Sequence, residues 1–224
     1  VLSQRNNEWG ISMKFSGLKE YVYHEIKKRL INNIIRPGER IWEDKIAEEL
    51  EVSRTPVREA INRLIAEEFI EDRPRKGIFA AEISKHDLYK MLDVRIALET
   101  LAVSQCCKLI TDEGKHELTE IYEKYRKKLS DGEYAEASQL DSQIHRYIAE
   151  VSDNKKLAAY INDIQDVFAY IRVWNVKWTE SKIDRSTRDH KNLVEAICNR
   201  DEESAMNLVR KDIESMRDLL SQVE

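Results

Sequence analysis

Glycine and proline are scarce in this chain of 224 residues, at 6 and 3. So few turn formers argue against an all-β architecture with many tight turns, against a glycine-dependent dinucleotide fold, and against a disordered or collagen-like chain. Cysteine is also scarce. The three residues are an odd number, and two of them, Cys106 and Cys107, are adjacent, which makes no disulfide framework and fits a reducing compartment. Long apolar runs are missing too: nothing approaches the ~18 consecutive residues of a membrane span, and the opening VLSQRNNEWG has no signal-peptide core. A cytoplasmic protein with no membrane partner is expected. Nor is there an excess of positive charge, since 37 Lys and Arg face 42 Asp and Glu for a net charge of −5. Residues 1–83 hold 15 of each sign and residues 84–224 hold 22 basic against 27 acidic. Bulk charge therefore lends no support to nucleic-acid binding, and any such reading must rest on local clustering.

What is present is helical periodicity. Residues 1–15 show none and read as an N-terminal arm. From Leu18 the apolar positions Leu18, Val22, Ile26, Leu30 and Ile34 recur every four residues, predicting an amphipathic helix that the Arg36-Pro37-Gly38-Glu39 turn stops. A short helix is expected over 43–49. A tight turn at Val52-Ser53 then leads into a helix that carries Pro56 in its first turn, where the missing N–H costs little. Residues 69–72 and 77–80 read as two strands around Arg73-Pro74-Arg75-Lys76-Gly77. Helix, helix, turn, helix and hairpin make a winged helix-turn-helix over 16–83. Beyond it every segment has a helical period, with helices expected near 87–108, 113–130, 133–152, 154–177, 183–198 and 201–222. The short connections imply antiparallel neighbours. The fold class is mostly α: a winged helix-turn-helix followed by an antiparallel all-α bundle over 84–224.

The helix that opens at Ser53 carries Arg54, Thr55, Arg58, Asn62 and Arg63 on its polar surface. Its N-terminal end is the part of a recognition helix that enters a major groove, where the arginine fork matches guanine and hydroxyls suit phosphates. Arg73, Arg75 and Lys76, beside Gly77, form a second basic cluster at the wing. The run Arg36-Pro37-Gly38-Glu39-Arg40 and the string from Ala47-Glu48-Glu49-Leu50 through Val52-Ser53-Arg54-Thr55-Pro56-Val57-Arg58-Glu59-Ala60 closely resemble the signature of GntR-family transcriptional regulators. That resemblance implies DNA contacts at Arg54, Thr55, Arg58 and Gly77, with Arg40 on the backbone. The chain departs from the family at Glu68, where a glycine usually precedes the wing.

In the helical part, Asp141 and His145 share a face at i, i+4, on the edge of an apolar stripe. His190 faces inward with Leu193, Val194 and Ile197. Asp212 interrupts the stripe of Ala205, Leu208, Met216 and Leu219, and a carboxylate in such a place needs a cation, an arginine or a proton. Two imidazoles and two carboxylates can hold a divalent first-row ion of the Zn, Ni or Mn type. Equally, the histidines can be hydrogen-bonded core residues and Asp212 can pair with Arg95, Arg172 or Arg210. The strings Leu140-Asp141-Ser142-Gln143-Ile144-His145, Asp189-His190-Lys191-Asn192-Leu193 and Val94-Arg95-Ile96-Ala97-Leu98-Glu99 are similar to the FCD effector domain of the FadR-type branch. Metal-binding members of that branch use one Asp and three His, so Asp141, His145 and His190 match while Asp212 stands in for the third His.

The resemblance further implies a small organic acid as effector, with Arg95 and Arg172 as candidates to pair with its carboxylate. The alternative for Arg95 is a simple i, i+4 pair with Glu99. The expectation is a ligand-responsive regulator, a repressor, binding a palindromic double-stranded operator as a homodimer. An enzyme is not expected. A metallohydrolase would need a general base beside the ligands, and no such motif is present. A helical interaction module would have no use for the Arg54, Thr55 and Arg58 set.

Overall fold

The computed structural model describes residues 17–32, 34–82, 84–175 and 178–221, and their side chains except at 170–175 and 218–221. Two compact units emerge, one taking the chain through Leu30 together with Pro37–Ala81, the other Ile31–Arg36 together with the chain from Glu82 onward.

The first unit contains α1 (Leu18–Ile31), β1 (Arg40–Ile41), α2 (Glu43–Glu49), α3 (Arg54–Ala66), β2 (Ile70–Arg73) and β3 (Gly77–Ala80). Val22, Ile26 and Leu30 of α1 are fully buried, and Val57, Ala60, Ile61 and Leu64 of α3 join them in the core. Leu18 and Ile34, expected on the same stripe, are instead exposed, and the helix ends at Ile31. Each four-residue step overshoots a helical turn by about 40°, so a helix that buries Val22, Ile26 and Leu30 turns Leu18 off that face, and Ile34 lies beyond the helix end. A two-residue strand the sequence did not announce, β1, pairs antiparallel with β3, giving the order β1-β3-β2. The wing hairpin pairs Ile70 with Ala80 and Arg73 with Gly77. Glu68 leads into it with φ +62°, and Arg75 at its tip has φ +64°. Glu68 thus occupies the left-handed conformation for which a glycine is the easy choice, at a cost of about 1 kcal/mol.

The second unit is helical among the described residues: α4 (Lys85–Leu109), α5 (Asp112–Ser130), α6 (Tyr134–Val151), α7 (Lys155–Asn175), α8 (Glu180–Cys198) and α9 (Glu202–Ser221). Four of these helices start at side-chain caps. Ser84, Thr111 and Thr179 accept the first free amides of α4, α5 and α8 through their hydroxyls, and Asn154 does the same for Leu157 of α7. Arg200, in the turn between α8 and α9, donates to the carbonyls of Cys107, Lys108 and Ile110 and so closes the far end of α4. Helix α4 is the spine of this unit and packs against α6, α7, α8 and α9. None of the described helices is long and apolar enough to cross a membrane.

Candidate nucleic-acid interface and metal centre

Ser53, in an extended conformation, sets the start of α3 so that Arg54, Thr55 and Arg58 all stand exposed on its first turns. Each arginine is paired with an acid at the start of α2: Arg54 Nε lies 2.7 Å from Asp44, and Arg58 Nη2 lies 3.0 Å from Glu43. Both guanidinium groups stay more than 60% exposed, with side-chain values of 68% and 63%. The forks are oriented without being buried, as a reading surface requires. Arg63, on the same helix, turns the other way: it bonds Glu20 and Glu67 and lies 3.6 Å above the ring of Tyr23, so it fastens α3 to α1.

At the wing, Arg75 and Lys76 are exposed, whereas Arg73 bonds Glu71 and stacks on Phe79. Arg40 is exposed on β1, stacked 3.9 Å from the ring centre of Trp42. Its guanidinium also passes over Gly77, where a Cβ would meet Arg40 Nη2 at 3.1 Å and where φ is +107°. Glycine is needed at this position for the close approach of Arg40 as well as for the turn.

In the helical unit, α6 carries Asp141 and His145, α8 carries His190, and α9 carries Asp212. One ligand atom from each of Asp141, His145 and His190 lies within 4.8 Å of the others. His190 Nε2 is 3.0 Å from Asp141 Oδ1, and His145 Nε2 is 3.5 Å from Asp212 Oδ2. The other ring nitrogens have partners outside the cluster, although His190 Nδ1 also lies 3.8 Å from Asp212 Oδ1. His190 Nδ1 is 3.0 Å from the Ser186 carbonyl, and His145 Nδ1 is 2.5 Å from Glu99 Oε2. Both imidazoles are buried, the side chains of Asp141 and Asp212 are only 14% and 15% exposed, and among the described residues neither ring nitrogen of His145 meets a partner in full hydrogen-bond geometry. A buried imidazole nitrogen beside two carboxylates suits a positive charge, either a proton or a cation.

These two surfaces correspond to the matches with known proteins. Residues 18–80 match the family described as bacterial regulatory proteins, gntR family, and residues 90–215, more than half the chain, match the FCD domain. The chain belongs to the GntR family and carries an FCD domain. It is 30% identical over 190 residues to the Nta operon transcriptional regulator of Aminobacter aminovorans, covering 84% of this chain and 87% of that one. The uncharacterized HTH-type transcriptional regulator YdhC of Bacillus subtilis is 28% identical over 188 residues, 82% of each chain. Among solved structures, E. coli McbR/YncC superposes with a TM-score of 0.81 at 22% identity, over 92% of this chain and 98% of that one, a likeness of fold. The protein is thus a DNA-binding transcriptional regulator of the GntR family.

Around the FCD cluster of this GntR regulator the electrostatics are dense. Burial raises the Glu99 carboxyl, but Arg95 and then His145 outweigh it and hold its pKa at about 2. Burial likewise opposes a charged His145, yet Glu99 and Asp212 keep its pKa above the usual imidazole value. Asp212 is held far below the ordinary carboxylate range, its burial outweighed by His190 and His145. Arg95 is 1% exposed; its Nε donates to Glu99 Oε1 at 2.6 Å, and its fork lies against Met216 and Phe168. The i, i+4 alternative weighed for Arg95 is thus the contact present. Asp212 faces the two histidines, and Arg210 is exposed; the side chain of Arg172 lies outside the described residues. The sequence did not point to Gln165, fully buried on α7, which donates to Glu99 at 2.7 Å. Nor did it point to Lys182 and Arg185, which line a small cleft of about 40 Å³ that reaches Asp212, Ser186 and Ser215.

Proposed function

We propose that this regulator is a repressor that binds a palindromic operator as a homodimer and releases it when a small organic acid enters the helical unit. There Asp141, His145, His190 and Asp212 would hold a divalent ion. The observation that carries this reading is the convergence of three donor atoms within 4.8 Å from two helices, with the Asp212 carboxylate beside both imidazoles. Three carboxylates, Asp141, Asp212 and Glu99, balance a divalent ion together with the buried Arg95 when both imidazoles are neutral. Among Zn, Ni and Mn, the second carboxylate in place of a third imidazole shifts preference toward the harder, oxygen-tolerant end. A bound ion supplies an electrophilic anchor for a carboxylate.

Because that balance leaves the cluster without excess positive charge, an acid must be drawn in by other cations. Arg185 and Lys182, which line the cleft together with Asp189 and Asp212, are the candidates for that role. Arg95, tied to Glu99, sets the charge of the cavity, and Arg172 remains a candidate partner of the acid. On DNA, Arg54, Thr55 and Arg58 enter the major groove, Arg75 and Lys76 follow at the wing, and Arg40 over Gly77 meets the backbone. Two copies double a short recognition footprint. The outward face of α4, where Val94, Leu101 and Leu109 are each about half exposed at seven- and eight-residue spacing, supports self-association. The acid moves the DNA equilibrium only by binding one arrangement of the dimer better than the other.

Elemental analysis and native mass spectrometry of the purified protein, with anisotropy titrations on selected duplexes, test the reading. The expected result is about one divalent ion per chain, affinity that falls steeply with salt through counterion release, and weaker DNA binding when small acids are added. His190→Ala should lose the ion and the acid response and keep DNA affinity. A protein that takes up no ion and whose DNA affinity ignores every acid overturns it.

A further inference from the structure

The two imidazoles of the cluster are backed differently. His190 places Nδ1 against the Ser186 carbonyl, one turn earlier on its own helix, 3.0 Å away. His145 has no such backbone partner among the described residues and places Nδ1 2.5 Å from Oε2 of Glu99, a residue of another helix. Glu99 cannot readily turn away. Its other oxygen, Oε1, receives Arg95 Nε at 2.6 Å and Gln165 Nε2 at 2.7 Å, and the whole group is 2% exposed. Glu99, Arg95 and Gln165 come from α4 and α7, so two helices that contribute no ligand fix the ring of one that does.

We propose that Glu99 is a positioning residue of the metal centre: it holds the proton on Nδ1 of His145 and thereby presents Nε2, unprotonated, to the ion. The inference rests on the metal reading above. A carboxylate behind a ligating imidazole fixes its tautomer and makes it the stronger donor, and its loss typically lowers metal affinity about 10–100-fold. Oε1 is taken by two donors, and among the described residues Oε2 faces His145. The positioning role also accounts for an arginine kept at 1% exposure in a ligand-binding unit: Arg95 Nε holds Oε1 and so fixes the direction in which Oε2 faces His145.

The test uses the full-length protein stripped by a chelator and titrated with Mn²⁺ or Zn²⁺ alone against a competing indicator. Glu99→Ala should bind about 10–100-fold more weakly than wild type, and Glu99→Gln, which keeps the size and one acceptor oxygen, should fall between. Should Glu99→Ala fail to fold by circular dichroism, Glu99→Gln alone carries the comparison. Two further readouts separate positioning from bulk structure. In the zinc-loaded protein the Nδ1 proton of His145 should give a slowly exchanging, strongly downfield proton resonance that moves upfield in Glu99→Gln. The visible spectrum of the Co²⁺-loaded protein should change with it. If wild type binds the ion and both variants bind it equally with an unmoved Nδ1 resonance, the role of Glu99 is overturned and the metal centre stands. If wild type binds neither ion, the metal centre itself falls and this inference with it.

Discussion

Both units of the molecule pair arginine with carboxylate, and they do so under opposite conditions. In the DNA-reading unit, Arg54 with Asp44 and Arg58 with Glu43 sit at the surface with more than half of each guanidinium side chain in water. In the helical unit, Arg95 and Glu99 are 1% and 3% exposed. An exposed pair is screened and contributes little, so a phosphate or a guanine edge can replace the carboxylate at small cost. A buried pair cannot exchange partners: removing one member strands the other in a medium where an isolated charge is expensive. One chemistry thus serves as a replaceable cover in the first unit and as a permanent brace in the second.

Substitutions that remove one partner from each kind of pair probe this contrast. Arg95→Met should have the largest effect, destabilising the metal-free protein by about 3–5 kcal/mol in urea unfolding, since Glu99 loses its charge partner. A loss below about 1 kcal/mol would place the buried pair with the exposed ones. Glu67 is an intermediate case: it accepts from Tyr23 at 2.6 Å and from Lys27 at 3.0 Å and is about a quarter exposed. Burial pushes its carboxyl pKa up, but Tyr23 and Lys27 outweigh this and lower it, while burial and Glu67 push the Tyr23 hydroxyl up to about 12. The carboxyl contribution is therefore present above about pH 4.5 and lost as pH falls through the lower folded value. The phenol contribution is present below about pH 10 and lost as pH rises toward 12. Glu67→Gln should cost about 2 kcal/mol near neutrality and flatten the acid limb of a pH series of thermal midpoints. An unchanged acid limb would remove Glu67 from that account. Glu43→Gln should be the mildest, leaving the thermal midpoint within error while raising affinity for random duplex several-fold as Arg58 is freed. A large drop in midpoint, or no gain on random duplex, would break the contrast from the exposed side.

How far each unit could be read from the sequence follows the same division. The reading surface comes from one contiguous string, residues 47–60, in which turn, proline and arginines have local meanings. Its acidic partners Glu43 and Asp44 precede it by a few residues and were passed over, because pairing across a helix-turn-helix is a tertiary fact. Arg63 looked equivalent to Arg58 on the polar face and is not, since α1 lies under it. In the helical unit, the i, i+4 spacing of Asp141 and His145 and the carboxylate within the α9 stripe were visible. Nothing local says that the second oxygen of Glu99 meets His145, which depends on how α4 packs on α6. Strand β1, two residues long, is too short to leave a period.

The carbonyl grip of Arg200 on the last turn of α4 has a mechanical consequence. Near its other end Tyr89 and Asp93 both meet Arg217 of α9, so the rod is held at both ends. Glu99 sits at mid-length on α4, between these two anchorages and 15 residues, about 22 Å of helix, from Ser84. A carboxylate mounted at the middle of such a beam keeps its place against α6, the stiffness that a fixed contact between Glu99 and His145 requires.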